Sequence, residues 1–224
     1  MKKLFLVIFV LIVGIYVWVI IHPYELDKHD VKGTPYVTLN DMPEEFKRAF
    51  VETEDARFYH HIGIDPIGIV RAFYRGAKEG ELKEGASTIT QQVARNIYLN
   101  QDRTAKRKIK EIFIALNIDY HNSKDKILET YVNDIYFGAG AYGIGEAANT
   151  YFDKQVDELT IPEMALLAGL PQAPSAYDPT VNMELAVQRR NIVLGIMAKK
   201  GLITETQKEK YEKEPIHLHV HEKK

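Results

Sequence analysis

The chain of 224 residues carries 29 Lys and Arg against 31 Asp and Glu, a formal charge of -2, so its overall balance offers nothing to nucleic acid and only a local cluster can attract an anion. There is no cysteine, which excludes disulfides, zinc-thiolate sites and a thiol nucleophile. The length allows one domain of moderate size with a real core, or a smaller domain plus appendages.

The first stretch speaks of location. After Lys2 and Lys3, the run Leu4 to Ile21 contains a single residue that is neither aliphatic nor aromatic, Gly14. At about 1.5 Å per residue it spans roughly 27 Å, close to a hydrocarbon core of ~30 Å. Its fifteen Leu, Ile, Val and Phe residues give an insertion free energy of roughly -5 to -9 kcal/mol. The Lys pair places the N-terminus in the cytoplasm and everything after His22 outside. No small-x-small cleavage site follows, so residues 1–21 read as an uncleaved single-pass anchor, with Trp18 and Tyr24 near the outer interface. Residues 22–40, with Pro23, Gly33 and Pro35 and no sustained period, read as a juxtamembrane connection.

From there the sequence predicts an all-α domain over 41–214. Apolar periodicity places helices near 43–55, 66–79, 88–98, 105–121, 124–136, 146–152, 161–169, 183–200 and 204–213. Asp65 followed by Pro66 reads as a cap and first helical position, Thr88 with Gln91 and Thr160 with Glu163 read as capping boxes, Ser123 as a cap, and Gly201 as a helix stop. Gly138 to Gly145 holds four glycines and reads as a tight or mobile loop. Residues 215–224 read as a tail, extended at Ile216 to Val220.

Three stretches could carry chemistry. Glu54 ends an amphipathic run in which Phe46, Ala49, Phe50 and Thr53 recur at helical spacing, and Asp55, Phe58 and His61 follow before Gly63. A carboxylate on a packed helix end with an aromatic and a histidine behind it suits proton transfer, although such carboxylates are ordinarily solvated. In Gly85-Ala-Ser-Thr-Ile-Thr-Gln-Gln the hydroxyls of Ser87 and Thr88 suit a cap. Gln92 and Asn96 share a stripe with Ile89 and Val93, so their amides need either a structural network or a sugar ligand. Arg103, Lys106, Arg107, Lys108 and Lys110 crowd the first turns of a helix, where cations oppose the macrodipole. That arrangement suits a bound phosphate or diphosphate, and equally a solvated face or contact with anionic headgroups. Glu111, one turn on, is either part of this site or half of a simple helix ion pair.

The motifs Glu54-Asp55-x-x-Phe58-x-x-His61-x-Gly63, Gly85-x-Ser87-Thr88-Ile89-Thr90-Gln91-Gln92, Arg107-Lys108-x-x-Glu111 and Ile127-Leu128-Glu129-x-Tyr131-x-Asn133-x-Ile135-Tyr136-x-Gly138 resemble, in order and spacing, those of family 51 peptidoglycan glycosyltransferases. Leu166 to Pro171, with Pro174 and Tyr177, is similar to a fifth motif of the family. The resemblance covers about Thr38 to Tyr211. Arg95 stands where the family usually has Lys, which keeps the charge and changes the donor geometry.

The resemblance implies a lysozyme-like helical domain that polymerises lipid II in bacterial cell-wall synthesis. A sugar 4-hydroxyl attacks the anomeric carbon of the growing lipid-linked glycan with inversion and expels a polyprenyl diphosphate. It makes Glu54 the base and gives the diphosphate to Arg107 and Lys108. Glu111 then orients the diphosphate region, with a divalent cation such as magnesium as one route and no obligatory cofactor. Asp55, Phe58, His61, Ser87, Thr88, Gln91, Gln92, Arg95, Asn96, Arg103 and Glu129 fall to substrate binding or support, with His61 fixing the fold around Glu54. The partners implied are lipid II, the growing glycan, the bilayer of the cytoplasmic membrane and other cell-wall synthesis proteins, with no nucleic acid. Two rival functions keep the fold: a muramidase or lytic transglycosylase, and a non-catalytic scaffold. The segment 64–79, with Ile67, Ile69, Val70, Phe73 and Tyr74, either dips into the membrane surface or packs in the core. Ser123-x-x-Lys126 matches a transpeptidase tetrad without its companion motifs, so Ser123 is expected to be a cap and the protein to lack a transpeptidase domain. His217, His219 and His221 alternate as metal ligands might be arranged, but no fourth ligand is near and a tail is expected.

Overall fold

The computed structural model describes residues 9–10, 13–14, 17–19, 21–26, 35–79, 87–100, 102 and 104–219. The helices in chain order are α1 (Glu44–Glu54), α2 (Pro66–Glu79), α3 (Ile89–Tyr98), α4 (Ala105–His121), α5 (Lys124–Asp134), α6 (Ile144–Phe152), α7 (Ile161–Gly169), α8 (Met183–Lys199) and α9 (Glu205–Lys213). Among the described residues there is no strand. The extended pairings among them are the isolated bridges Ile62 to Ile64 and Tyr136 to Tyr142. Much of the predicted anchor, the connection 27–34, Gly85, Arg103, Val220 and His221 lie outside the described residues. Among those described, no helix is long and apolar enough to cross a membrane.

The start and stop signals act as the sequence suggests. Gly68 donates its N–H to Asp65 at 2.8 Å, Lys126 to Ser123 Oγ at 3.2 Å, and Thr160 to Glu163 at 2.8 Å. After α8, Gly201 turns left-handed at φ 70°. Its N–H bonds Ala198 O at 3.0 Å and that of Leu202 bonds Met197 O at 2.9 Å, closing the helix with the paired bonds of a Schellman turn.

The chain divides into two units, one from Met1–Asp27 and Phe58–Ile127, the other from Lys28–Arg57 and Leu128–Lys224. In the first, α3 and α4 pack on one another. Side chains at the end of α4 also capture main-chain groups at a helix end and in the segment 23–26 that follows it. Asn117 accepts from Tyr24 N–H at 2.8 Å and donates to the carbonyls of Val19 and His22 at 3.0 and 2.7 Å. Asn122 donates to Tyr24 O at 3.1 Å, and the His121 ring bonds Val19 O at 2.7 Å. Residues 23–26 lie outside any helix and have no sheet to pair with, so Asn117 and Asn122 supply partners that their main chain requires.

In the second unit α1 lays its fully buried Phe46, Ala49 and Phe50 against α7 and α8. Phe50 meets Tyr131 and Phe137 edge-on, with ring centres 6.3 and 6.1 Å apart, a favourable quadrupole arrangement. A second extended stretch is held here. Asn133 accepts from Val37 N–H at 2.9 Å and donates to Val37 O at 2.7 Å. Glu129 accepts from Tyr36 OH at 2.7 Å and from Leu39 N–H at 3.0 Å.

Two boundaries differ from the sequence reading by two residues, the others by one at most. Helix α5 stops at Asp134, not 136, because Tyr136 turns to bridge Tyr142, and α6 starts at Ile144, two residues early. Gly145 looks like a helix breaker, yet its bare Cα is required, since a Cβ there would stand 2.6 Å from Pro35 O. Residues 215–219 carry neither helix nor strand, and the His219 N–H bonds Tyr151 O at 2.8 Å.

Asn133→Ala removes both bonds to Val37 and leaves buried main-chain groups unpaired. It should lower the unfolding free energy by about 2 to 3 kcal/mol. A urea titration should show an earlier midpoint at unchanged slope.

Candidate active site

In the first unit two of the sequence motifs and helix α4 meet at Gly63. Its φ is 77°, and a Cβ on it would lie 2.4 Å from Ala115 O of α4, so only glycine lets the first motif touch that backbone. The Gly63 carbonyl accepts from Thr88 Oγ1 at 2.6 Å. Thr88 Oγ1 in turn caps α3 by accepting from Gln91 N–H at 3.1 Å, and Gln91 accepts from Thr88 N–H at 3.0 Å. Gln91 is therefore buried for the cap, and its side chain acts there. Gln92 is also buried, whereas Arg95 and Asn96, on the later turns of α3, are partly exposed.

The loop ahead of Gly63 is anchored by Lys124, which the sequence reading missed. Its ammonium bonds His61 O at 2.7 Å and Asp119 Oδ2 at 2.5 Å, and stands 4.7 Å from the Phe58 ring centre. Asp119 also accepts from Thr90 Oγ1 at 3.2 Å. Phe58 is fully buried, and the His61 ring packs edge-on against it at 6.2 Å. The one available signal was a Lys at the start of a helix, five residues after an Asp, and only the fold makes that spacing a contact.

The charged centre of this unit is Glu111. It is fully buried, with Arg107 Nη1 at 3.0 Å from Oε2 and the Lys108 ammonium on Oε1. Lys108 also donates to Ser87 Oγ at 2.9 Å, joining α4 to the start of α3. A surface pair at this spacing is worth only a few tenths of a kcal/mol. Here burial changes the scale, because removing one side strands the other. Arg107 keeps a buried Nε with no hydrogen-bond partner among the described residues. Thr104 caps α4, accepting from Arg107 N–H at 3.2 Å. Arg103 lies outside the described residues.

Both Glu111 oxygens are engaged by cations. That donor set suits an ammonium and a guanidinium better than a divalent ion, and among the described residues no group of three or more Asp, Glu or His side chains is placed to hold a metal ion. No metal-linked step is assigned.

In the second unit Glu54 is the last residue of α1, partly exposed, and Asp55 beside it is buried. Glu129 spends both oxygens on residues 36–39, so its visible task is to fix that segment.

A family model described as transglycosylase matches residues 24–198. The chain belongs to the transglycosylase family. That agrees with the family 51 resemblance carried by the motifs. Penicillin-binding protein 1A of Escherichia coli K12 is 51% identical over 83% of this chain and 22% of its own length. Penicillin-binding protein 1A of Aquifex aeolicus is 49% identical over 81% of this chain and 25% of that protein. The chain thus spans about a fifth to a quarter of the curated relatives it matches. A crystal structure of penicillin-binding protein 1A from Haemophilus influenzae shares the fold, with TM-score 0.50 and 24% identity over 84% of this chain and 18% of that one.

Glu111→Leu leaves two cations facing each other over an apolar side chain. It should cost about 3 kcal/mol of stability, read as a lower thermal midpoint that added salt does not restore.

Proposed function

We propose that the chain polymerises lipid II into β-1,4-linked glycan with inversion, releasing a polyprenyl diphosphate, in bacterial cell-wall synthesis. The observation that carries this reading is the Arg107–Glu111–Lys108 cluster, in a chain that belongs to the transglycosylase family. An expelled diphosphate develops negative charge, and preformed donors are what such a transition state rewards. The cluster supplies a guanidinium with an unpartnered Nε and an ammonium, and Glu111 keeps the two oriented. Cleavage of a neutral glycosidic bond in finished wall has no diphosphate to hold, which argues against the muramidase reading.

On the acceptor side an uncharged hydroxyl must lose a proton. Glu54 takes it as general base while the oxygen attacks the anomeric carbon from the face opposite the leaving diphosphate. Ser87, Gln92, Arg95, Asn96 and Arg103 serve the donor's sugars and phosphates, while Thr88 holds Gly63 and the start of α3. Asp55, Phe58, His61, Gln91 and Glu129 hold the surrounding backbone.

Residues 1–21 anchor the chain in the cytoplasmic membrane with the N-terminus inside, 22–40 connect, 41–214 form the catalytic domain outside, and 215–224 form a tail. Contact of α2 with the lipid surface is supported by its exposed Ile67, Ile69, Val70 and Tyr74, at 58, 43, 69 and 72%. Core packing does not account for side chains so open.

The test is incubation of the purified full chain with labelled lipid II. Elongated glycan supports polymerisation, release of muropeptides from finished wall supports the hydrolase, and neither product supports a scaffold. Glu54→Gln should abolish elongation with an unchanged melting temperature, and near-normal turnover in that variant would remove Glu54 from the role. Arg107→Ala should slow elongation by about a hundredfold or more.

A further inference from the structure

Helix α4 carries cations on two sides. At about 100° of turn per residue, Arg107, Lys108 and Glu111 share one side with Ala115 and Ile118, both fully buried, and Lys108 reaches from there to Ser87 Oγ at 2.9 Å. Lys106, Ile109, Lys110, Asn117, Tyr120 and His121 fall within an arc of roughly 120° on the other side. Lys106, Ile109, Lys110 and Tyr120 are exposed there. The acid nearest the two lysines in sequence, Glu111, is already taken by Arg107 and Lys108.

The same arc receives the N-terminal segment. Asn117 and His121 hold the carbonyl of Val19 at 3.0 and 2.7 Å, and Asn117 also binds His22 O at 2.7 Å and Tyr24 N–H at 2.8 Å. Val19 is buried, whereas Phe9, Val10, Val13 and Val17 are exposed, so among the described residues this segment first packs on the helical domain at Val19. The chain therefore arrives on the side of α4 that carries Lys106, Ile109 and Lys110. Close by, Trp18 stacks on the His22 ring at 5.7 Å and Tyr24 meets Tyr98 edge-on at 4.7 Å. Aromatic groups of this kind favour the level of lipid headgroups. From Asn117, Lys110 and Lys106 lie roughly 10 and 16 Å back along the helix.

We infer that this side of α4 lies against the outer surface of the cytoplasmic membrane, where Lys106 and Lys110 donate to the phosphates of anionic phospholipids and Ile109 and Tyr120 enter the acyl boundary. The inference rests on the reading of residues 1–21 as an anchor. Its ligand is the bilayer's own lipid and not the substrate's diphosphate, because the cations assigned to the substrate point to the other side of the helix. A lysine keeps its ammonium among the phosphates while its stem covers apolar surface. An isoleucine between two such lysines then meets acyl chain where it would otherwise meet water. Each lysine near an anionic surface changes the docked population by about fivefold, so the hold depends on leaflet composition. Docking keeps α4 at the bilayer, and with it the Arg107 and Lys108 cluster at the level of a lipid-linked diphosphate.

The chain has no cysteine, so Ile109→Cys offers a single attachment point for an environment-sensitive dye. The labelled full chain is placed in phosphatidylcholine vesicles with or without about one third phosphatidylglycerol, with brominated acyl chains as quencher. Flotation reports the anchor and quenching reports α4. The chain should float with both vesicles, and the dye should be quenched chiefly in the anionic ones. Combining Lys106→Gln with Lys110→Gln, or adding about 1 M salt, should lower the docked population by fivefold or more. A dye left unquenched in floated anionic vesicles overturns the inference. Quenching that is equal without phosphatidylglycerol, or unchanged in the double lysine variant, overturns it as well, since the lysines then hold no phosphate. A chain that fails to float removes the anchor reading and this inference together. Elongation is not part of the readout, so failure of the polymerase reading shows separately in the lipid II assay.

Discussion

The first unit depends on one buried carboxylate. Helix α4 begins with Lys106, Arg107 and Lys108, charges that its own dipole repels, and the fold compensates through Glu111, buried beneath them. Burial makes the arrangement rigid as well as strong. A solvated Glu could swing away from either cation, whereas this one holds Arg107 on one oxygen and Lys108 on the other. Lys108 then reaches Ser87, and through the Thr88 cap and Gly63 the same constraint extends to the first motif. A cation cluster held this way needs little rearrangement when an anion arrives.

Buried amides are the second theme. An all-helical protein has no ladder to offer main chain at and beyond its helix ends, and among the described residues two such stretches stand out, 21–26 with Val19 and 36–39. Each is taken up by side chains projecting from one helix: Asn117, His121 and Asn122 of α4 for the first, Glu129 and Asn133 of α5 for the second. Asn suits this work because its amide donates and accepts at once, matching both groups of a peptide unit. Asn133 does so with Val37 alone.

The helices were legible because each carries its own instructions. Periodic apolar faces set their spans, and Thr88, Ser123, Thr160 and Gly201 set their ends within a residue or two. Short 3-10 turns at Leu39–Asp41, Phe58–His60, Val156–Glu158 and Leu170–Gln172 were invisible, since three residues carry no period. Of the site, the Arg107–Glu111 spacing could be read directly, and its burial could not, because burial depends on what packs over α4. Gln91 and Glu129 show the opposite difficulty: polar residues inside a motif look like ligand groups until the fold shows their partners. Lys124 was missed because a Lys at a helix start, with Asp125 and Lys126 beside it, ordinarily points to water, and its partner His61 lies 63 residues away.

The surface of the first unit carries the side chains on which the proposed membrane contact depends. Ile67, Ile69, Val70 and Tyr74 of α2 are exposed, as are Tyr59 and Ile62 in the loop before it. On α4, Ile109 is 56% exposed between Lys108 and Lys110, so apolar and cationic side chains alternate at one helix end. In water that mixture would waste apolar area. At a bilayer surface both kinds of group are matched, cations by phosphates and isoleucines by acyl chains. A lipid-linked diphosphate presents those two chemistries joined in one molecule. The feature that suits α4 to the membrane surface therefore also suits it to the proposed substrate, and neither role requires a residue that the other would displace.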